Sequence, residues 1–191
     1  MDVPLQAGIS FGKVGHGTSL AGTIAAAGNN SLGVTGVMQT ARLMALKAGD
    51  GWEAVGVTTA TFIPAANYAI AMGARVINAS FGRLGGPCSQ AEYDTLSAVN
   101  AAGLMVLAAA GNQTQDNDST PQYPAQYSVD TACGPALPNV IAVAATDMHD
   151  NLASFSNFGA ASVQIASPGS DETYSTYPTF NVTHVLLHNF D

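Results

Sequence analysis

The feature that most constrains how this chain folds is its alternation of short apolar runs with longer helical patterns. The apolar runs have the length of buried strands and occupy residues 43–46, 76–79, 104–110 and 140–145. Residues 61–72 and 90–102 have the length of helices, and each segment is followed by a glycine suited to a helix C-cap, Gly73 and Gly103. Continuously apolar strands between helices are typical of a parallel sheet that helices cover on both faces. The sequence therefore predicts an α/β fold with a doubly wound, mostly parallel sheet.

Composition excludes several classes of protein and of partner. A chain of 191 residues with 47% hydrophobic and 9% charged residues is long enough to bury a substantial core and is too apolar to be disordered. The formal net charge of −8 lacks the basic footprint that nucleic acids require, so we expect no nucleic-acid partner. The apolar runs are far shorter than a membrane span, so we expect no membrane partner, and residues 1–4 do not begin a signal peptide.

The two cysteines, Cys88 and Cys133, are too few for a disulfide scaffold and lack the spacing of a zinc site. Each lies in a segment that contains glycine and proline, which is typical of a surface loop. Loops of this kind are compatible with a disulfide bridge and equally with two free thiols, because the sequence does not give the distance between them.

Two short motifs carry residues suited to catalysis. His16 follows Gly15 at the start of a small-residue segment, and Asn112 follows Gly111 after the apolar run 104–110. Ligands of parallel sheets bind outside the carboxyl ends of the strands, where Asn112 and Ser80 are both expected. A serine hydrolase needs an imidazole base, a carboxylate that orients it and hydrogen-bond donors for the oxyanion. His16 has the chemistry of the base, and Asn112 has that of an oxyanion donor.

The segment Gly15-His16-Gly17-Thr18-Ser19-Leu20-Ala21-Gly22 resembles the histidine motif of the subtilases, the subtilisin-like serine proteases. Ser19 stands where many members carry a second histidine. Ala109-Ala110-Gly111-Asn112 resembles the family segment that forms a wall of the substrate pocket and supplies the oxyanion amide. The resemblance covers roughly residues 12 to 170. The further segments that match in family order are Ser80-Phe81-Gly82, Tyr123-Pro124, residues 139–146, residues 154–159 and Ser167-Pro168-Gly169.

The resemblance implies a subtilisin-like fold and a substrate cleft. Ser80, Phe81 and Gly82 would pair with the backbone of a peptide substrate, as a strand added to the sheet. The wall of the cleft would be formed by Ala108, Ala109, Ala110 and Gly111. In the family, the dipeptide matched by Tyr123-Pro124 often contains a cis proline. Some secreted members also pair cysteines at positions similar to those of Cys88 and Cys133.

A structural calcium ion is a further implication of the resemblance. Residues 28–34 resemble the calcium loop of the family, in which Asn30 would give its side-chain oxygen. The carbonyl groups would come from Gly28, Leu32 and Val34. Calcium takes six to eight oxygen ligands, preferably with carboxylates among them. The remaining ligands of the family precede the histidine motif, so an empty turn is the alternative interpretation.

Two catalytic motifs of the family are not recognisable in this chain. The orienting aspartate should lie well before the histidine, whereas Asp2 is the only acidic residue upstream and is more simply an exposed terminal residue. The nucleophile should follow Ser167-Pro168-Gly169 in a Gly-Thr-Ser-Met-Ala-x-Pro motif, which is absent there. We therefore predict an incomplete subtilisin-like core over residues 1–170 and an atypical tail over residues 171–191.

The tail contains His184 and His188, which are spaced as two metal ligands on one helical face. No third ligand is evident, so a truncated or frameshifted end is the favoured interpretation. A sheet that lacks its first strand and central helix would expose a large apolar surface. We therefore expect a homodimer, an exchange of elements between copies, or coverage of the gap by the tail.

These observations predict a serine hydrolase that cleaves peptide or ester bonds by acyl transfer, with His16 as base and Asn112 as oxyanion donor. One alternative is an esterase in which another serine replaces the family nucleophile, with Ser80 as the first candidate and Ser19 as the second. Another alternative is an inactive homologue that binds peptides beside Ser80, Phe81 and Gly82. The scarcity of lysine and the acidic charge are compatible with secretion.

Overall fold

The computed structural model describes residues 15–49, 57–170 and 174–176, which fall into two units. The first unit contains residues 15–43 and 174–176 of this set, and the second contains residues 44–49 and 57–170. The helices are α1 His16–Ala25, α2 Thr59–Ala71 and α3 Gln90–Ala101, with a short 3₁₀ helix at Ala125–Ser128. The strands are β1 Val76–Ala79, β2 Arg83–Leu84, β3 Met105–Ala109, β4 Gln122–Tyr123, β5 Val140–Thr146 and β6 Ile165–Pro168.

A parallel sheet organises the second unit. Its four strands are hydrogen-bonded in the order β1-β3-β5-β6, and every pair is parallel. The register sets Ala79 opposite Ala108, and Ala108 opposite Ala142. Parallel neighbours need a crossover between them, and α3 provides the one between β1 and β3. The predicted α/β class with a mostly parallel sheet and flanking helices is therefore confirmed.

The core of this unit lies between one face of the sheet and the helices α2 and α3. Leu96 and Val99 of α3 and Val106 of β3 are fully buried, and the Phe62 residue of α2 is 3% exposed. On the other face of the sheet, Val76 of β1, Met105 of β3 and Ile165 of β6 are 53%, 43% and 50% exposed. Apolar side chains on this second face therefore remain in contact with water.

Local sequence explains where the two helices of the second unit begin and end. The Thr58 side chain caps α2 and forms a reciprocal capping box with Thr61, while Ser89 caps α3. Both helices are followed by the predicted glycines, Gly73 and Gly103, which have positive φ angles of 71° and 76°. The predicted helices over residues 61–72 and 90–102 are therefore confirmed within two residues at each end.

Three features of the sheet differ from the sequence-based expectation. Residues 43–46 do not form the predicted strand, because they pair with no other strand in the described part of the chain. Leu43 and Met44 are instead 51% and 40% exposed. Strand β6 and the short antiparallel pair of β2 with β4 were not predicted from periodicity. Strands of two to four residues depend on their partners more than on their own sequence.

A disulfide joins Cys88 to Cys133 and resolves the alternative between bridge and free thiols. It connects the loop before α3 to the long segment between β3 and β5, and both cysteines pack against the core. The peptide bond between Tyr123 and Pro124 is cis. None of the helices in the described ranges has the length and apolar character needed to cross a bilayer.

In the first unit, residues 174–176 pack on α1. Ser175 Oγ donates to Ser19 O, and Thr176 Oγ1 donates to Thr18 O at 2.7 Å. Gly22 faces these two side chains, and a Cβ atom at that position would overlap both of them. The boundary predicted at residue 170 stays a prediction. Asp2, His184 and His188 lie outside the described residues.

Candidate active site

The carboxyl ends of β1 and β3 bring together the two predicted substrate-binding segments. Ser80, Phe81 and Gly82 follow β1 directly, while Ala110, Gly111 and Asn112 follow β3. Because β1 and β3 are neighbours in register, these segments leave the sheet at the same edge, roughly one strand spacing of 4.8 Å apart. The edge is the location at which parallel sheets bind their ligands.

Asn112 lies at this edge with its side chain exposed to solvent. Its backbone N–H donates to Gln113 Oε1 at 3.0 Å, and its amide side chain bonds to no other described residue. Gly111 turns the chain before it with a φ of 116°, a conformation that favours glycine. A Cβ atom on Gly111 would also overlap the Asn157 side chain. The amide of Asn112 is therefore available to a ligand, as an oxyanion donor requires.

A buried side-chain amide, that of Asn157, holds the chain that follows Asn112. Asn157 Oδ1 accepts hydrogen bonds from Gln113 N at 2.8 Å and Gln115 N at 3.1 Å. Its Nδ2 lies 3.0 Å from Asn117 Oδ1 and 3.3 Å from Gln113 Oε1. Asn157 and Asn117 are 0% and 1% exposed. Sequence reasoning placed Asn157 in a family segment but assigned it no role.

A carboxylate supports the same loop from its other end. Asp118 Oδ1 accepts from Ser162 Oγ at 2.6 Å and from Ser162 N at 2.9 Å. The Ser162 hydroxyl, together with the Ala161 N–H, lowers the pKa of Asp118 below its usual range. Sequence reasoning missed this pair, because its members lie 44 residues apart and carry no motif.

Ser80, the candidate substitute nucleophile, is half-buried at the end of β1. Its Oγ lies 2.9 Å from Asn78 Nδ2 and 3.3 Å from Asn78 Oδ1. These are the hydrogen bonds of its hydroxyl within the described residues. An amide accepts no proton at neutral pH, so Asn78 does not activate the hydroxyl as a base would.

A cavity of about 320 Å³ adjoins the predicted substrate-binding segment. Phe81 and Gly82 form one side of it, and residues 57–59 at the start of α2 form another. Arg83, Glu92 and Tyr123 complete the lining. Both apolar and charged groups face it. Sequence reasoning named Phe81 and Gly82 but did not identify the other lining residues.

The charged groups of this cavity form a connected cluster. Arg83 Nη2 lies 3.6 Å from Glu92 Oε2, and the guanidinium lies 4.4 Å from the centre of the Tyr123 ring. The hydroxyl of Tyr127 lies 3.0 Å from the same Glu92 oxygen. Burial raises the pKa of Tyr127, and burial together with a hydrogen bond to Asp130 raises that of Tyr123. Both phenols are therefore neutral donors at physiological pH.

His16 is the first residue of α1 and lies in the first unit. It is exposed, and Gly15 precedes it in a left-handed conformation with a φ of 96°. Ser19, the second candidate nucleophile, follows three residues later on the same helix. An exposed imidazole is accessible to a substrate and to a proton acceptor or donor, as a general base must be.

The predicted calcium loop also lies in the first unit. Residues 27–35 line an open surface cavity of about 260 Å³. Asn30 Oδ1 accepts from Leu32 N at 3.0 Å, which turns the loop, and Gly28 is packed closely against Thr35 and Gln39. The named ligands supply one amide oxygen and three carbonyl oxygens, and the loop 28–34 contains no carboxylate. The oxygen chemistry fits calcium, but further oxygens are needed to reach a full shell.

Comparison with known proteins identifies relatives over most of the chain. The Subtilase family matches residues 9–189. Thermitase of Thermoactinomyces vulgaris is 42% identical over an alignment of 175 positions that covers 86% of this chain and 52% of that protein. Subtilisin DY of Bacillus licheniformis is 38% identical over 88% of this chain and 56% of its own length. The chain thus spans about half the length of the curated relatives it matches.

Solved structures agree with the sequence relatives. The protease domain of PatA, in a mutant form, superposes with a TM-score of 0.67 and 27% identity, over 82% of this chain and 53% of that one. A protease from Pseudoalteromonas arctica has the same TM-score with 26% identity, over 83% of this chain and 45% of its own. The predicted subtilisin-like fold is therefore confirmed.

Proposed function

Because the chain belongs to the subtilase family, we propose that it acts as a serine hydrolase on peptide bonds and on esters of similar geometry. The observation that carries the proposal is the arrangement at the carboxyl edge of the sheet. There a loop held by Asn157 presents the Asn112 amide at the same edge as Ser80, Phe81 and Gly82, and a cavity lined by apolar and charged groups adjoins this segment. The substrate class is peptidic, since an open strand-like segment and a side-chain pocket suit an extended peptide.

In the proposed reaction, a serine hydroxyl attacks the carbonyl carbon while His16 takes its proton. The carbonyl oxygen becomes an oxyanion, and the Asn112 amide donates a hydrogen bond to it. His16 then returns the proton to the leaving amine or alcohol, and an acyl-serine remains. Water attacks this ester by the reverse sequence of proton transfers and releases the acid. Ala108, Ala109, Ala110 and Gly111 would form the cleft wall on the β3 side.

Hydrolysis of p-nitrophenyl acetate and of casein tests the proposal. His16→Ala should lower both rates by at least tenfold, because general base catalysis contributes about 10²–10⁴ to such reactions. His149→Ala is the matched control, since His149 is an exposed histidine in a loop of the second unit. Equal rates in the His16 variant and the wild type would overturn the role of His16.

A second candidate function is peptide binding without catalysis. It is favoured by the surroundings of Ser80, whose hydroxyl bonds to an amide instead of a base. A fluorophosphonate probe distinguishes the candidates, because it labels only an activated serine. Labelling that is lost in Ser80→Ala but retained in the helix variant Ser97→Ala would identify Ser80 as a substitute nucleophile. Binding of a peptide aldehyde beside Ser80, Phe81 and Gly82, with no labelling by the fluorophosphonate, would support the inactive homologue.

We also propose a structural calcium ion at residues 28–34. The side chain of Asn30 and the carbonyl groups of Gly28, Leu32 and Val34 would hold it, and its charge would tie the loop together. Calcium at about a hundred times its Kd would stabilise the folded chain by about 2.7 kcal/mol. The thermal midpoint should therefore rise with CaCl₂ in the wild type and in Asn29→Ala, but not in Asn30→Ala. An equal midpoint with calcium and with EDTA would contradict the site.

We further propose that the protein is secreted and that it associates with a second copy of itself. The disulfide between Cys88 and Cys133 supports an oxidising location, because such bonds persist mainly outside the cytosol. The exposed face of the sheet, with Val76, Met105 and Ile165, supports a homodimer or an exchange of elements. Gel filtration with light scattering tests the second point, and a stable monomer at all concentrations would contradict it.

A further inference from the structure

We propose that Asn157 is a positioning residue. It holds the backbone of the loop from which the Asn112 side-chain amide reaches the oxyanion. This inference rests on the proposed function and adds a residue to it. Asn157 forms hydrogen bonds with both neighbours of Asn112 in the chain. Asn157 N donates to Gly111 O at 2.9 Å, and Asn157 Oδ1 accepts from Gln113 N at 2.8 Å. The residues before and after Asn112 are thus both bonded to one residue of another segment.

The side chain of Asn157 has no hydrogen-bonding capacity to spare. A primary amide accepts two hydrogen bonds and donates two, and Asn157 makes all four with Gln113, Gln115 and Asn117. The Gln113 side chain that it bonds accepts in turn from Asn112 N at 3.0 Å. Asn157 therefore fixes the Asn112 backbone directly through both neighbours and once more through the Gln113 side chain.

Asn157, which we call the anchor of the Asn112 loop, is itself held in place by its neighbours. Asn117 Nδ2 donates to Ala110 O at 2.8 Å, so its amide orientation is set by the end of β3. Asn117 Oδ1 consequently faces Asn157 as an acceptor, which fixes the orientation of the Asn157 amide. Ser156, adjacent in the chain, is also buried, and its Oγ accepts from Ala145 N of β5 at 2.9 Å. Hydrogen bonds to β5 and to Ala110, the residue after β3, thus hold the segments that support the Asn112 loop.

The chemistry of the site requires an amide and excludes a carboxylate of the same shape. In Asn157→Asp, the two donors would be replaced by an acceptor that faces Asn117 Oδ1 and Gln113 Oε1. Burial raises the pKa of such a carboxyl group, and its protonated form would regain one donor. The activity of this variant, relative to that of the wild type at the same pH, should therefore rise as the pH is lowered, whereas the relative activity of Asn157→Ala should not.

A double-mutant cycle with Asn112 tests whether Asn157 acts through it. Asn157→Ala should lower kcat for p-nitrophenyl acetate by about tenfold and leave KM within about twofold, because a misplaced oxyanion donor affects mainly the transition state. In the Asn112→Ala background, the same substitution should change kcat by less than about twofold. An equal loss in both backgrounds would overturn the inference, since the effect would then be independent of Asn112.

Hydrogen exchange gives a readout that does not depend on activity. The amides of Gln113 and Gln115, which donate to Asn157 Oδ1, should lose at least about tenfold of their protection in Asn157→Ala. Asn139→Ala is the matched control, because Asn139 donates to Leu104 O near the opposite end of β3. It should leave both kcat and this protection unchanged.

The two readouts separate failure of the inference from failure of the proposed function. If Asn112→Ala leaves turnover unchanged while the Gln113 and Gln115 amides still lose protection in Asn157→Ala, the oxyanion role fails and the anchor stands. If the Gln113 and Gln115 amides retain their protection in Asn157→Ala, the inference is overturned whatever the activity.

Discussion

The disulfide between Cys88 and Cys133 allows the most quantitative prediction. It closes a loop of 45 residues, and in the folded state both cysteines pack against the core. In the chain-entropy description, a cross-link of this length removes about 13 cal/mol/K from the unfolded chain, or about 4 kcal/mol at 25 °C. The variant with Cys88→Ala and Cys133→Ala should therefore have a free energy of unfolding about 4 kcal/mol lower than the wild type.

Urea unfolding followed by circular dichroism measures this difference. The control is the wild type in a reducing agent, which should fall to the stability of the double variant while the double variant itself does not change. A difference below about 1 kcal/mol in the free energy of unfolding between the oxidised and the substituted proteins would contradict this prediction. It would show that the loop between the cysteines is restricted in the unfolded chain without the bridge.

Three further predictions concern pH and the loop before Asn112. The Ser162 hydroxyl lowers the pKa of Asp118 in the folded chain. The ionised Asp118 carboxylate therefore stabilises the fold above about pH 4, and this stabilisation is lost at lower pH. Asp118→Asn should flatten the acid limb of stability against pH in urea titrations. Burial raises the pKa of Tyr127 in the folded chain. The stability that the neutral Tyr127 phenol contributes is therefore lost as the pH rises above about 10. Tyr127→Phe should flatten the alkaline limb, and an unchanged limb would contradict this. Gly111→Ala should cost about 1–3 kcal/mol, because φ is 116° and the new Cβ atom would overlap Asn157; a loss below about 0.5 kcal/mol would contradict it.

The regular elements of the second unit were predictable because their patterns are local. The helix predicted over residues 90–102 is α3, at Gln90–Ala101, since its cap and terminal glycine are both written in the adjacent sequence. The run 104–110 corresponds to β3, whose residues are apolar on both faces. Residues 43–46 carry the same apolar signal and form no strand. A strand also needs a hydrogen-bonded neighbour, which local sequence does not specify.

In the candidate site, likewise, residues within short motifs could be predicted from the sequence, whereas contacts between distant segments could not. Asn112 and the segment of Ser80, Phe81 and Gly82 were predicted from motifs, and the structure places them at one edge of the sheet. The anchor was not predicted, because Asn157 lies 44 residues from Gln113 and 40 from Asn117. Buried polar groups of this kind are recognised by their partners, and these become neighbours only after folding.

The proposed hydrogen bond from the Asn112 amide to the oxyanion is tested by the kcat of Asn112→Ala. In a subtilisin, loss of this type of donor costs about 10²–10³ in kcat, a magnitude that belongs to that enzyme and not to this chain. With p-nitrophenyl acetate, we predict a loss of this order in kcat with KM nearly unchanged, and full activity in Asn139→Ala. A kcat within about twofold of the wild type would contradict the account.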